Sequence, residues 1–125
     1  MQYNMNFNSI LSQTPRELAD WLLQEFPINI PEAVITMDDM LKAQDALLKL
    51  GGAYSYLVIL QSYAKIKTRE AKRYLSKEEH EDMVDRKEII ENFADAVKQG
   101  YSAVSRAVTI HAENNNELRM SRGIT

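Results

Sequence analysis

The sequence contains no cysteine, and it has only three prolines, four glycines and one tryptophan among 125 residues. Without cysteine there is no disulfide framework and no thiolate metal site, which fits a reducing compartment. The first ten residues lack the basic start and apolar run of a signal peptide. The longest apolar stretch, residues 54–60, is far shorter than the roughly 20 residues that cross a bilayer. We therefore expect a cytoplasmic protein without a membrane span.

The composition is that of a folded domain. Apolar residues make up 45% of the chain and charged residues 26%, close to globular averages, so wholesale disorder is not expected. A chain of 125 residues can bury one modest core but not two. We predict a single domain over residues 1–125.

Three short sequences carry the hydroxyl and, three residues later, the carboxylate of a helix-capping box. They begin at Thr14, Thr36 and Ser76. They predict an N-terminal helix over residues 14–26, two long helices over 36–75 and 77–118, and a tail at 119–125. Pro27 and Pro31 disfavour helix after the first of these, so residues 27–35 are predicted to form a linker.

Gly51 and Gly52 are the one interruption in the first long helix. Each glycine costs about 1 kcal/mol in a helix interior relative to alanine. The pair therefore indicates a kink, a break or a close approach of another helix, and we favour a kink in a continuous helix.

The second long helix has apolar or small residues at alternating steps of three and four, a spacing that implies a helical partner. These positions are Ile90, Phe93, Val97, Gly100, Val104, Ala107, His111, Asn114 and Leu118. Because the connection to the preceding helix is short, that helix is the expected partner. The predicted fold is all-α: a long, coiled-coil-like antiparallel helical hairpin with a short additional N-terminal helix.

A thin hairpin cannot cover residues 53–60, which are apolar on nearly every side. The N-terminal helix can cover part of this surface, and a second copy of the chain is the natural candidate for the rest. We therefore expect a homo-oligomer. The predicted protein interface contains Trp21, Tyr54, Val58 and Ile59.

Positive charge is concentrated in one segment of a chain whose net charge is −3. Residues 51–77 hold six basic and one acidic side chain, whereas the segments on either side are acidic. On a helix, four of these cations fall within an arc of about 100°. The predicted nucleic-acid-binding residues are these four and the cation that follows them: Lys65, Arg69, Lys72, Arg73 and Lys77.

Tyr63 and Tyr74 interleave with these cations in sequence but face the other way on a helix, toward the expected core. Contact with nucleic acid would therefore be made to phosphates, which predicts salt-sensitive, sequence-independent binding. Two other interpretations stay open. The cations can form an ordinary solvated face that complements the helix dipole, or a docking surface for an acidic protein.

The sequence contains no enzymatic signature. A nucleophile elbow, a glycine-rich phosphate loop and a metalloprotease motif are all missing. His80 lies among adjacent acidic residues that splay around a helix start, and His111 occupies a seam position, where it sets helix register. We predict no catalytic residue, no metal, no cofactor and no small-molecule substrate.

Two segments together resemble small helical phage proteins, including recombination mediators of the UvsY type. They are AYSYLVILQSYAKIKTREAKR, in which a tyrosine- and alanine-containing helix becomes rich in lysine and arginine, and EIIENFADAVKQGYSAVSRAVTIHAENNNELR, the second long helix. The resemblance is one of pattern over about two thirds of the chain. It implies an oligomer that binds single-stranded DNA and assists a recombination or replication complex in the host cytoplasm.

These observations favour a non-enzymatic phage or prophage accessory protein that oligomerises and binds single-stranded DNA or a complex that handles it. The acidic net charge and the separate N-terminal helix favour a second hypothesis. In that hypothesis the chain is a helical protein-interaction module, such as an inhibitor of a host enzyme or a virion assembly component.

Overall fold

The computed structural model describes the backbone of residues 6–28, 34 and 36–123, and the side chains of these residues up to position 114. Four helices follow in order: α1 (Phe7–Leu11), α2 (Pro15–Glu25), α3 (Met37–Tyr74) and α4 (Lys77–Gly123). The residues in these ranges contain no strand. Helices α3 and α4 pack along each other as an antiparallel hairpin, and α1 and α2 pack against it. The predicted all-α hairpin is confirmed.

Capping boxes begin α2 and α3 where the sequence predicts them. The backbone N–H of Glu17 donates to Thr14 Oγ1 at 3.2 Å, and that of Thr14 donates to Glu17 Oε1 at 3.3 Å. Thr36 and Asp39 form the same reciprocal pair, with both distances 3.1 Å. Pro15 occupies the first turn of α2, where its missing N–H costs nothing. The caps therefore satisfy donors that would otherwise have no partner.

The turn between the long helices is two residues long. Leu75 is the C-cap of α3, and Ser76 Oγ accepts a hydrogen bond from the backbone N–H of Glu79 at 3.2 Å in the first turn of α4. A connection this short favours antiparallel packing of α4 against α3.

Helix α3 continues through Gly51 and Gly52 without a break. A Cβ added to Gly51 would lie 3.5 Å from Cε2 of Tyr101, which is an ordinary van der Waals distance, so Tyr101 of α4 touches α3 here without requiring a glycine. Of the three interpretations of the pair, a break is wrong because α3 is continuous here, and the contact with Tyr101 leaves room for an alanine at Gly51.

The predicted seam of α4 faces α3 over most of its length. Ile90, Val97, Gly100 and Val104 are buried, whereas Asn114 is exposed, so the prediction is wrong at that position. Gly51 of α3 lies beside Tyr101 of α4. Because the two helices are antiparallel, the start of α3, 14 residues before Gly51, lies beside about position 115 of α4. The seam therefore loses its partner at its end. The side chain of Leu118 lies outside the described residues.

Two predicted boundaries differ from the structure. Helix α4 reaches Gly123, so most of the predicted tail at 119–125 is helical, and α1 was not predicted. Helix α1 is a five-residue helix, with the side chain of Asn6 capping Ser9 and its last two residues buried. Residues 29–33 and 35 of the predicted linker lie outside the described residues.

Aromatic rings join the N-terminal helices to the hairpin. The ring of Phe26, at the end of α2, lies 5.4 Å from that of Tyr56, 6.3 Å from that of Phe93 and 6.1 Å from that of Trp21, measured between centroids. Phe7 of α1 lies 5.9 Å from Tyr56 on the same side of α3. These contacts cover one side of α3, and the opposite side has no covering helix in the described part of the chain.

Tyr56 is expected to ionise about two pH units later than an exposed tyrosine, because burial, with a smaller contribution from the charge of Glu25, raises its pKa to about 12. The folded-state pKa lies above the ordinary value of 10.0. The stability that this adds is therefore complete below pH 10 and is lost as the pH rises toward 12. A tyrosinate absorbance titration should show a late step that disappears in Tyr56→Phe. A parent protein without a late step would contradict the buried position.

Candidate nucleic-acid interface

The five predicted nucleic-acid-binding residues lie together at the tip of the hairpin, and all five are exposed. We call them the basic stripe: Lys65, Arg69, Lys72, Arg73 and Lys77. The first four occupy the last turns of α3, and the fifth begins α4. Their shared side of α3 follows from the helical repeat of about 100° per residue.

The basic stripe differs from the other cations of α3 in its ion pairs. Lys42 pairs with Asp38 at 3.1 Å, and Lys49 pairs with Asp45 at 3.0 Å, each along its own helix. Lys67 pairs with Glu70 at 3.3 Å. Among the described side chains, no carboxylate forms an ion pair with a cation of the basic stripe. These cations are therefore available to an external anion.

Lys67 lies between members of the basic stripe in sequence but has a different role. Its hydrogen bond to Glu70, followed by the charge of that carboxylate, raises the pKa of its ammonium group. The same ammonium lies 5.4 Å from the centroid of the Tyr63 ring. Lys67 thus belongs to a local cluster that bridges two turns of α3.

Tyr63 packs inward, as predicted. It is half-buried, its ring lies 5.5 Å from that of Phe7, and its hydroxyl donates a hydrogen bond to Asn8 Oδ1. A ring held in this way against α1 does not offer a free face for stacking on bases.

Tyr74 was predicted to face the core, and this prediction is wrong, because its side chain is 78% exposed. The N-terminal helices cover this side of the hairpin only as far as Tyr63 of α3 and Arg86 of α4. At that point the guanidinium of Arg86 donates a hydrogen bond to the carbonyl of Gln13 at 2.7 Å. Tyr74 lies beyond that point, at the last residue of α3. It is therefore the aromatic ring that the tip presents to solvent.

The structure divides the four predicted protein-interface residues into two pairs. Trp21 and Tyr54 are half-buried and pack against the protein's own core. Val58 and Ile59 are exposed on α3. The first pair thus contributes to folding of the chain itself, and the second lies on its outer surface.

Other exposed apolar residues on α3 were not predicted. They are Leu41, Leu48 and Ile66, with Met37 at the helix start. Their regular spacing along one side of the helix was the available signal. It was missed because the continuous apolar run at 53–60 dominates the segment.

The described residues form neither a metal site nor a membrane-spanning helix. Within the described ranges, no group of three or more histidine, aspartate or glutamate side chains comes together in a way that could hold a metal ion. His80 is half-buried in the first turn of α4. No helix in the same ranges combines the length and the apolar character needed to cross a membrane.

The chain was compared with protein-family models, with curated proteins and with solved structures, and none of the three comparisons finds a match.

Proposed function

We propose that this chain is a non-enzymatic accessory protein that binds single-stranded nucleic acid through the basic stripe. One observation carries the proposal: five exposed cations lie together at one end of the hairpin, and none of them forms an ion pair with a described side chain. Elsewhere on α3, lysines are neutralised by carboxylates one turn away.

Phosphate contacts suit this geometry better than base contacts. The side chains of the basic stripe are exposed and project from one side of a helix. Lysine and arginine in such an arrangement neutralise phosphates and release counterions, which gives affinity without sequence preference. Tyr74 supplies one ring at the tip for stacking on an exposed base, which favours single strands over duplex.

The resemblance to UvsY-type mediators supports single-stranded DNA as the polymer and a recombination or replication complex as the setting. It also supports the phage or prophage origin, the host cytoplasm and the self-association of the chain.

The proposal predicts binding that weakens steeply with salt. For about four phosphate contacts, the logarithm of affinity should fall with the logarithm of salt concentration at a slope of about −3. Lys65→Gln with Lys72→Gln removes two contacts and should bring the slope to about −1.5. Fluorescence anisotropy of a labelled single-stranded oligonucleotide, measured over a salt series, gives both slopes.

The matched control is Lys42→Gln with Lys49→Gln. It removes the same number of lysines from the same helix, but these lysines are already paired with Asp38 and Asp45. We expect its slope and affinity to remain close to those of the parent. If the parent does not bind at low salt, or if both double variants lose equal affinity, the basic stripe is not a nucleic-acid site.

A second candidate function is supported by a different observation, the exposed apolar residues on the outward side of α3. A helix that presents such residues at regular spacing is suited to pack against another helix. This favours the interaction-module hypothesis, in which the partner is a protein. The apolar residues of α3 extend to Ile66, next to the basic stripe, whereas Lys65 and Lys72 point to another side of the helix, so the two functions can be tested with separate variants.

A further inference from the structure

The outward side of α3 carries exposed apolar residues at heptad spacing. Leu41 and Leu48, seven residues apart, are 58% and 79% exposed. Ile59 and Ile66, also seven apart, are 51% and 50% exposed. Two small residues between these pairs continue the alternation of three and four. We call this set the outer seam: Leu41, Leu48, Gly52, Ser55, Ile59 and Ile66.

When two copies of the outer seam run in opposite directions, each large apolar residue of one copy faces a large apolar residue of the other, and the small residues also face each other. We infer that the chain forms a two-fold homodimer in which α3 packs antiparallel against α3 of a second copy, with the axis level with the midpoint of residues 53 and 54. In a two-fold interface, each contact between two positions occurs twice. The facing pairs are Leu41 with the partner's Ile66, Leu48 with the partner's Ile59, and Gly52 with the partner's Ser55.

The centre of the outer seam is suited to close contact. Gly52 and Ser55 are small, so two helices can approach each other there. The hydroxyl of Ser55 donates to the carbonyl of Gly51 at 3.0 Å, and that of Ser62 donates to the carbonyl of Val58 at 3.0 Å. Because these donors are already satisfied within α3, burying them against a partner leaves no unpaired hydroxyl.

The charges of α3 favour the antiparallel orientation. Residues 37–50 hold three acidic and two basic side chains, whereas residues 61–75 hold one acidic and five basic ones. A parallel pair would place the two basic ends against each other. The antiparallel pair instead places the basic end of each helix against the acidic start of the other, with Asp38 facing the partner's Arg69.

This dimer rests on the proposed self-association and assigns it an interface. It also places the two basic stripes at opposite ends, with the two copies of Arg69 about 46 Å apart along the helix axis at about 1.5 Å per residue. Lys65 and Lys72 are turned away from the outer seam, so nucleic-acid binding and dimerisation can be measured with separate variants.

Solution mass provides the first test. The parent should be a dimer, and Leu48→Glu with Ile59→Glu should be a monomer at concentrations where the parent is fully dimeric. The matched control is Leu23→Glu with Ile110→Glu, which changes an exposed leucine and an exposed isoleucine outside the outer seam. It adds the same charge and should remain dimeric. Circular dichroism checks that both variants keep the helix content of the parent.

Cross-linking between introduced cysteines tests the orientation, and the natural chain has no cysteine to interfere. A mixture of Leu41→Cys and Ile66→Cys chains should form a disulfide between the two variants. Leu41→Cys alone should not cross-link, because its two copies would lie about 38 Å apart along the axis at about 1.5 Å per residue. Disulfides require Cα atoms within about 7 Å.

The outcomes separate this interface from self-association in general. A parent that is monomeric at every concentration overturns both. A dimer that survives Leu48→Glu with Ile59→Glu, or in which Leu41→Cys cross-links to itself, overturns the antiparallel outer-seam interface and leaves self-association through another surface. Loss of the dimer together with cross-linking of the mixed cysteine variants supports the inference.

Discussion

Phe26→Ala is expected to lower the free energy of unfolding by about 3–5 kcal/mol, the usual cost of truncating a buried phenylalanine. The side chain is 6% exposed, and its ring contacts those of Trp21, Tyr56 and Phe93. These rings belong to α2, α3 and α4. The truncation would therefore leave a cavity where three helices meet, and each wall would lose packing contacts.

Urea unfolding, followed by the fluorescence of Trp21 and by circular dichroism, measures this loss. Phe26→Leu is the control, because it keeps much of the apolar volume and should cost less than about 2 kcal/mol. Phe26 contacts Tyr56 near the middle of α3, more than two helical turns from the first cation of the basic stripe, so folded Phe26→Ala should still bind single strands with the parent's salt slope. A loss below about 1 kcal/mol for Phe26→Ala would show that this ring does not hold the N-terminal helices to the hairpin.

The starts of the long helices could be predicted from sequence because they depend on neighbouring residues. Thr14 with Glu17 and Thr36 with Asp39 satisfy each other's backbone groups within one turn, and both pairs form in the structure. Local chemistry of this kind does not depend on the rest of the fold.

The missed features depend on contacts that are distant in sequence. Helix α1 is too short to be stable alone, and its burial against α3 makes it a helix. Tyr74 has the correct position on the helix to face inward, yet it is exposed because the covering elements stop before it. The predicted seam position of Asn114 is wrong for a similar reason: Asn114 is exposed because α3 begins about level with it and does not extend past it. The helical repeat predicts direction, whereas coverage depends on where the neighbours end.

The same distinction applies to the candidate sites. The exposure of Lys65 and Arg69 could be predicted from their helix face, and the structure bears it out. Their lack of an ion pair needed the structure, because Lys67 in the same segment does have one. For the outer seam, hydrophobicity alone was misleading, since Leu57 and Ile59 are equally apolar and only Leu57 is buried.

Leu22→Ala and Leu23→Ala should differ in their effects although the two residues are adjacent in α2. Leu22 is fully buried, so its truncation should cost about 2–5 kcal/mol. Leu23 is 63% exposed, and its truncation should change the free energy of unfolding by no more than about 0.5 kcal/mol. Both variants make the same chemical change in the same helix, so differences in helix propensity cancel and the contrast measures burial alone.

Chemical denaturation of the parent and both variants, matched in protein concentration and repeated at several concentrations, gives the comparison, since association of the chain would make stability depend on concentration. Equal losses would mean that Leu23 is also covered, and a loss at Leu23 that grows with protein concentration would identify a second copy as the cover. A larger loss at Leu23 than at Leu22 would mean that α2 presents a different side to α4. The aromatic contacts that join the N-terminal helices to the hairpin could not then form as described, because the position of Phe26 depends on the same orientation of α2.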